Sequence, residues 1–431
     1  MGQQGSRRRP RRDAPAGGTS AEPRGSLETE NLSDPCGNRE GPGRTRTGAE
    51  DPLDLGLGYV DRARVVRIEA GGELHKALVV ELSRPMALVS TLEGPRQGIR
   101  TVVNHGLPPG AWRLDLEGMR RLSRGLLGLE AGATSCLFTG ADLDHLSVQC
   151  RSFEGLKAVA LVSAGVEVNA MRASRDEGAY LGVGTVNAVV LMNARLSPRA
   201  MTRAVAMATE AKTAAFQDMD VRSTRRPGRW QATGTGTDNV VVVEGCGPAV
   251  DSAGGHTRAG QLIAEAVYRG VREAVERQNG LSPARDVAGR LYERGLVPDA
   301  LAPGLAEALL ALLQGTPWAG FVECAMAVSD AYERGLVRDL TWFQEACYQV
   351  AAQVAGRPID EPAHGTCPDT DVPAPLSMAL NALLAGLAVG DRRETESGRD
   401  WAPTSPRAAP GEPRRQEDWR RRGSGSDCGR R

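Results

Sequence analysis

The apolar residues of this chain fall into two rhythms. Short runs rich in Val, Ile and Leu, broken by Gly-Gly or Pro, predict strands at residues 64–68, 77–82, 86–92 and 100–104. The fourth ends at the polar stop Asn104-His105-Gly106. Residues 114–127 carry helical spacing, and residues 135–139, 158–163 and 185–192 read as buried strands, with Asn187 inside the last. Ser197-Pro198 opens a helix to about Gln217, with Ser as N-cap and Pro at the first helical position. A turn at Pro227-Gly228 leads to a strand near Trp230, and residues 240–243 predict another. A second helix runs from about Thr257 to Arg277, with Leu262, Ile263, Ala266, Val267, Gly270 and Val271 on one face.

Beyond residue 281 the pattern is helix only. Leu291-Tyr292-Glu293-Arg294-Gly295-Leu296-Val297 recurs as Ala331-Tyr332-Glu333-Arg334-Gly335-Leu336-Val337, a shift of about 40 residues that fits paired helices in a repeat unit. Residues 1–55 and 391–431 are rich in Arg, Gly and Pro and predict disordered tails. The expected organisation is a tail (1–55), a strand-and-helix domain (56–280), a helical segment (281–390) and a second tail (391–431). Strand groups with single helices between them do not alternate as a doubly wound sheet does. The expected fold class is therefore α+β, a mixed or antiparallel sheet core covered by helices.

Composition narrows the partners. Apolar residues make up 41% and charged residues 25%, ordinary for a soluble protein. The formal net charge is zero, so no global field draws the chain to nucleic acid or to an anionic membrane. No apolar run approaches the roughly 18 residues of a membrane span. The eight cysteines form no Cys-x-x-Cys, which argues against a zinc ribbon or a secreted disulfide framework and favours a reducing cytoplasm. Homo-oligomerisation is left open. Of 53 basic residues only Lys76, Lys157 and Lys212 are lysine. A lysine kept in so Arg-biased a chain can be one that Arg cannot replace; Lys76 and Lys157 are read as chance.

Candidate chemistry clusters between residues 187 and 257. On the helix over 198–217, Met201, Val205, Ala208, Lys212 and Ala215 share a stripe, so Lys212 sits on the apolar face and Glu210 lies roughly opposite. The loop Thr233-Gly234-Thr235-Gly236-Thr237-Asp238 sets hydroxyls and a carboxylate between small residues that allow close approach of a ligand. It is no Walker loop, since no Gly-Lys-Thr ends it, and no dinucleotide fingerprint, since a strand follows it. His256 stands at the mouth of the second helix, where an imidazole can work as acid or base. No ligand spacing demands a metal or a cofactor.

The order Gly184-Thr185-Val186-Asn187, Thr209-Glu210-Ala211-Lys212-Thr213-Ala214-Ala215, Ala232-Thr233-Gly234-Thr235-Gly236-Thr237-Asp238 and Gly255-His256-Thr257 resembles the adenosylcobinamide amidohydrolase family of corrinoid salvage over about residues 60–277. The resemblance implies cleavage of the aminopropanol amide of adenosylcobinamide to adenosylcobyric acid, with pseudocobalamin as a related substrate. The corrinoid is then the substrate and no cofactor is certain; a metal ion held by Asp238, His256 and Glu210 is an alternative that no ligand spacing demands. Catalytic candidates are Glu210, Lys212, Asp238 and His256: Glu210 or His256 as acid/base, Lys212 or loop N–H groups for the oxyanion. Asn187, Thr233, Thr235, Thr237 and Thr257 are candidates for binding substrate, with a threonine nucleophile the lesser alternative. If Glu210 and Lys212 act together, Glu210 must face a second layer or another subunit. The competing readings are a corrinoid- or nucleotide-binding module without chemistry, whose helical segment docks a partner, and a structural protein whose loop is only a turn.

Overall fold

The computed structural model describes residues 46–178, 182–296, 304–314, 317–359 and 372–396. The expected tails, 1–55 and 391–431, lie outside these residues except for 46–55 and for 391–396, which continue the last helix. The strands are β1 (Arg46–Pro52), β2 (Val60–Ala70), β3 (Glu73–Ser90), β4 (Gly94–Gly106), β5 (Thr134–Thr139), β6 (Ser147–Phe153), β7 (Leu156–Ala164), β8 (Ala170–Met171), β9 (Val186–Met192), β10 (Arg195–Leu196), β11 (Gly234–Thr235), β12 (Asn239–Val243) and β13 (Ala249–Val250). The helices are α1 (Leu116–Leu127), α2 (Pro198–Asp218), α3 (Arg258–Asn279), α4 (Val287–Glu293), α5 (Leu305–Leu312), α6 (Pro317–Glu333), α7 (Thr341–Ala355) and α8 (Ala374–Glu396). Among the described residues no single helix is long and apolar enough to cross a membrane.

The fold is α+β: nine strands form one curled mixed sheet, a half-barrel covered by helices. Its main path is β1-β2-β3-β12-β9-β7-β6, with β4 pairing β3 and β5. The long β3 makes the curl. It pairs with β2 over residues 73–82 and with β12 through Leu88, Val89 and Ser90. Its register against β4 breaks between Glu81 and Met86, where Pro85 has no N–H to give. The strands expected at 77–82 and 86–92 are thus one bent strand. Within this sheet two pairs are parallel, β4 with β5 and β9 with β12, and α1 and α2 respectively lie in the connections.

Alternation along the central strands fixes the layers. Ala158, Ala160, Val162, Ala188, Val190, Val240 and Val242 face α2 and α3, whose Ala204, Ala208, Ile263 and Val271 meet them. Val159, Leu161, Val189, Leu191, Val241 and Val243 face the hollow of the curl. Small residues bring α3 close: a Cβ on Gly270 would lie 2.7 Å from a Val162 methyl. Ser197 caps α2 as expected, accepting from Ala200 N at 3.1 Å, and Thr257, expected to bind substrate, caps α3 by accepting from Gly260 N at 3.1 Å.

Three expectations shift. β1 runs through residues assigned to the tail, its polar sequence held by ion pairs of Glu50 with Arg62 and of Asp51 with Arg67. Near Trp230 there is only an isolated bridge, Arg222 with Gln231, because the Arg222 guanidinium takes the carbonyls of Pro227 and Gly228. The repeated Tyr-Glu-Arg-Gly-Leu is a helix stop used twice. Gly295 (φ 77°) and Gly335 (φ 74°) turn left-handed, and Leu296 N and Leu336 N reach back to Leu291 O and Ala331 O. The two copies therefore cap α4 and α6, and α4–α8 enclose one core around Leu291, Met326, Phe343, Leu376 and Leu383.

That helical core is tied to the sheet unit by charge. Asp220, just after α2, accepts from Arg222 at 2.9 Å, Arg290 at 3.1 Å and Arg294 at 2.7 Å. Burial alone would raise the Asp220 carboxyl; Arg294 and Arg222 overcome it and hold the group well below the ordinary carboxylate range. Asp220→Ala leaves the buried Arg222 and Arg294 to share Asp330 alone and is expected to cost about 3–5 kcal/mol in urea unfolding. A loss under about 1 kcal/mol contradicts the assignment.

A second buried chain lies under α1. His75 Nδ1 and His105 Nε2 are 3.1 Å apart, and His105 Nδ1 is 2.6 Å from Ser123 Oγ. Burial pushes the His105 imidazole down to about 3, and neighbouring His75 adds to the fall. The unfolded chain binds this proton near the ordinary 6.5 and the folded chain does not. Stability therefore drops as pH falls from 6.5 toward about 3, at up to about 1.4 kcal/mol per pH unit. His105→Gln is expected to flatten that slope between pH 6 and 4; an unchanged slope in denaturant titrations counts against it.

Candidate functional site

The Thr/Gly loop leads from β11 into β12, and one carboxylate closes it. Asp238 Oδ2 accepts from Thr235 N at 2.9 Å and pairs with Lys212 Nζ. Asp238 Oδ1 accepts from Thr235 Oγ1 at 2.6 Å and from Val186 N at 2.9 Å. Four donors from the loop, from β9 and from α2 thus meet on one side chain, about the capacity of a carboxylate. The side chains of Lys212 and Asp238 are only 12% and 13% exposed. Gly234 makes the pairing feasible: a Cβ there would lie 2.3 Å from both Asp238 Oδ2 and Lys212 Nζ.

Two cavities flank the loop. The first, about 240 Å³, is lined by Lys212, Asp238, Thr235, Thr209, Thr91 and Asn239 over a floor of Val186, Ala188 and Val267. The second, about 170 Å³, is mostly apolar, with Trp112, Leu116, Met119 and Phe138 opposite Thr185 and Thr237. Asn239 borders both.

Among the sequence candidates, Lys212, Thr235 and Asp238 come together. Thr237 lines the second cavity and donates to Gly184 O at 2.8 Å. Thr233 anchors the loop, accepting from Ala173 N at 3.0 Å. Asn187 is fully buried; its amide donates to Asn104 Oδ1 and Phe138 O, each at 2.8 Å, and its own oxygen has no partner. Thr257 caps α3. Glu210 and His256 are exposed and line neither cavity. Among the described residues no second layer covers Glu210, and it does not join Lys212. Among the described residues no three His, Cys, Asp or Glu side chains group as metal ligands do.

Sequence reasoning missed Thr91, Asn239 and Asn169. Thr91 Oγ1 donates to Asn239 Oδ1 at 3.2 Å and accepts from Val240 N at 3.0 Å, a link visible only once β3 lies beside β12. Asn169 packs where a Cβ on Gly236 would come within 2.9 Å of its Oδ1. The lone available signal was the polar Thr and Asn flanking apolar runs.

The cluster can do two things. Lys212 spends one N–H on Asp238 and has two more for a carbonyl oxygen in the first cavity. Asp238 is placed to take the Thr235 proton. Gly234→Ala is expected to force the ion pair apart and cost about 1–3 kcal/mol. Gly125→Ala, in open space on α1, serves as control and is expected to be neutral or stabilising. Equal thermal midpoints for the two variants contradict the packing argument.

A family model described as adenosylcobinamide amidohydrolase (CbiZ) matches residues 57–283. An uncharacterized protein of Methanocaldococcus jannaschii is 37% identical over 234 residues, covering 50% of this chain and 91% of that protein. A crystal structure of a Pyrococcus horikoshii OT3 protein is matched at 12% identity and a TM-score of 0.25, over 54% of this chain and 83% of that one; a likeness so slight carries no argument. With the family model spanning more than half of the chain and including the whole Thr/Gly loop, the chain belongs to the adenosylcobinamide amidohydrolase family.

Proposed function

We propose that the protein hydrolyses the aminopropanol amide of adenosylcobinamide to adenosylcobyric acid, with Thr235 as nucleophile, Asp238 as its base and Lys212 as oxyanion donor. One observation carries this reading: Thr235 Oγ1 donates to Asp238 Oδ1 at 2.6 Å while Lys212 holds the other carboxylate oxygen. A hydroxyl bonded to a base, and the base fixed by a third group, is the arrangement that activates a weak nucleophile. Family membership supplies the substrate class. The threonine that the sequence left as a lesser alternative is favoured here because it touches the only carboxylate among the described residues lining the first cavity.

Thr235 Oγ1 attacks the amide carbonyl carbon as its proton passes to Asp238. The oxyanion takes an N–H from Lys212, a donor aimed in advance at where charge develops. The C–N bond breaks, and the leaving aminopropanol nitrogen takes the proton from Asp238. Water then attacks the Thr235 ester and gives its proton to Asp238. As the corrinoid acid departs, that proton returns to Thr235. The corrin ring is too large for the first cavity, so only the amide arm enters, and Trp112 and Phe138 in the second cavity offer an apolar rest for a neighbouring part of the substrate.

The test is incubation with adenosylcobinamide followed by chromatography and mass spectrometry. The wild type is expected to release aminopropanol and a corrinoid acid; unchanged substrate defeats the reaction. Asp238→Asn is expected to slow turnover about 10²–10⁴-fold. Thr235→Ala is expected to abolish the burst of acyl-protein that Thr235→Ser keeps. A wild-type rate in Thr235→Ala removes the nucleophile and leaves the reaction standing.

A further inference from the structure

We propose that the joint between the sheet unit and the C-terminal helices holds a phosphate group, as the free anion or as a phosphate monoester. A cavity of about 60 Å³ opens there, walled by Arg172 and Arg175 beyond β8, by Arg334 just beyond α6, and by the amides of Gln217 and Gln231. Arg175 lies over the Trp230 ring, 4.7 Å from its centroid, which keeps that guanidinium at the cavity wall.

These three guanidiniums converge on one cavity without a carboxylate of their own. Other arginines are paired, as for Arg67 with Asp51 and Asp144, Arg285 with Glu293, and Arg229, at the same cavity, with Glu333. Arg172, Arg175 and Arg334 form no ion pair among the described residues. One carboxylate, Asp330, does reach the cavity, but it is taken by Arg222 at 3.1 Å and faces Arg294 at 3.7 Å. Arg334 Nε donates only to the Asp330 carbonyl, at 2.9 Å. Unmatched like charges at one cavity repel, and an anion relieves the repulsion.

Planar guanidinium forks fit phosphate oxygens two at a time, and a tetrahedral oxyanion can use several such forks at once. The small volume suits one such group and excludes a corrin ring or a peptide segment. The position is telling as well. Thr233 N donates to Met171 O at 2.9 Å, and Ala173 N donates to Thr233 Oγ1 at 3.0 Å, so Arg172 sits between two ties to the Thr/Gly loop. A phosphate held by both Arg172 and Arg334 staples the helical unit to the backbone that supports that loop. This inference stands on the arginines and does not need the amide-hydrolysis reading.

The experiment is calorimetric titration of the full chain with inorganic phosphate at constant ionic strength in chloride. Saturable binding is expected, with a change in Trp fluorescence in the wild type as Arg175 shifts over Trp230. Arg172→Gln and Arg334→Gln are each expected to weaken binding at least about tenfold while leaving the circular dichroism unchanged. Glycerol 3-phosphate is titrated in parallel: tighter binding than phosphate assigns the site to a monoester, and weaker binding assigns it to the free anion. No saturable heat in the wild type, or equal affinity in the Arg172→Gln/Arg334→Gln double variant, overturns the proposal.

Discussion

Asp238 is the point on which the proposed site depends. Its two oxygens hold the Thr/Gly loop to itself through Thr235, to the start of β9 through Val186 N, and to α2 through Lys212. A carboxylate removed from water is tolerated only when its acceptor sites are filled, and here all the donors come from the elements that must be brought together. The glycines follow from this. Gly234 leaves room for the ion pair, and Gly236 lets the chain pass Asn169. The parallel register of β9 with β12 sets Asn187 beside Asn239 and so delivers Val186 N to the carboxylate. Thr185 Oγ1 and Thr237 Oγ1 then cross-link the two chain segments through Thr237 O and Gly184 O.

Much of this frame was legible from local pattern. The Val-rich runs 158–163, 185–192 and 240–243 read as buried strands because both faces are covered, one by α2 and α3 and the other by the hollow of the curl. The cap Ser197 was visible because capping is a local hydrogen bond. The helical wheel put Lys212 inward and Glu210 outward, and both sit there. What stayed hidden depends on partners distant in sequence. The polar edge strands β1, with no branched apolar residue, and β6, with Val148 alone, are recruited by their neighbours. Thr91 gains meaning only beside Asn239. The bend at Pro85 reads as a strand end until both halves are seen to share β4. The Tyr-Glu-Arg-Gly repeat looked like a domain-scale period because a cap signature and a repeat signature share the same residues; only the left-handed Gly295 and Gly335 decide between them.

The divergence of the two caps bears on the helical unit. Glu293 binds Arg285 and Arg294 binds Asp220, whereas Glu333 binds Arg229 and Arg334 is left without a carboxylate. The same five letters therefore stop two helices but make different contacts with the sheet unit. Backbone geometry constrains the glycine and the leucine of each copy, and the charged pair between is free to follow its surroundings.

The three lysines repay a closer look, because two of them were read as chance. Lys212 Nζ and Lys157 Nζ both rest against a glycine, Gly234 and Gly56, where a Cβ would come within 2.3 Å and 2.4 Å of the ammonium. Lys157 donates to Gly56 O at 3.0 Å, and Lys76 bridges Asp142 at 2.6 Å and Asp144 at 2.7 Å. An ammonium is a compact point charge that can sit against backbone, whereas a guanidinium is a wide planar fork that needs a flat approach on two sides. In a chain that uses arginine almost everywhere else, the lysines occupy corners of this compact kind. At Lys212 the corner also opens onto a cavity, so the geometry that excludes the larger cation is the one that leaves two N–H donors beside that cavity.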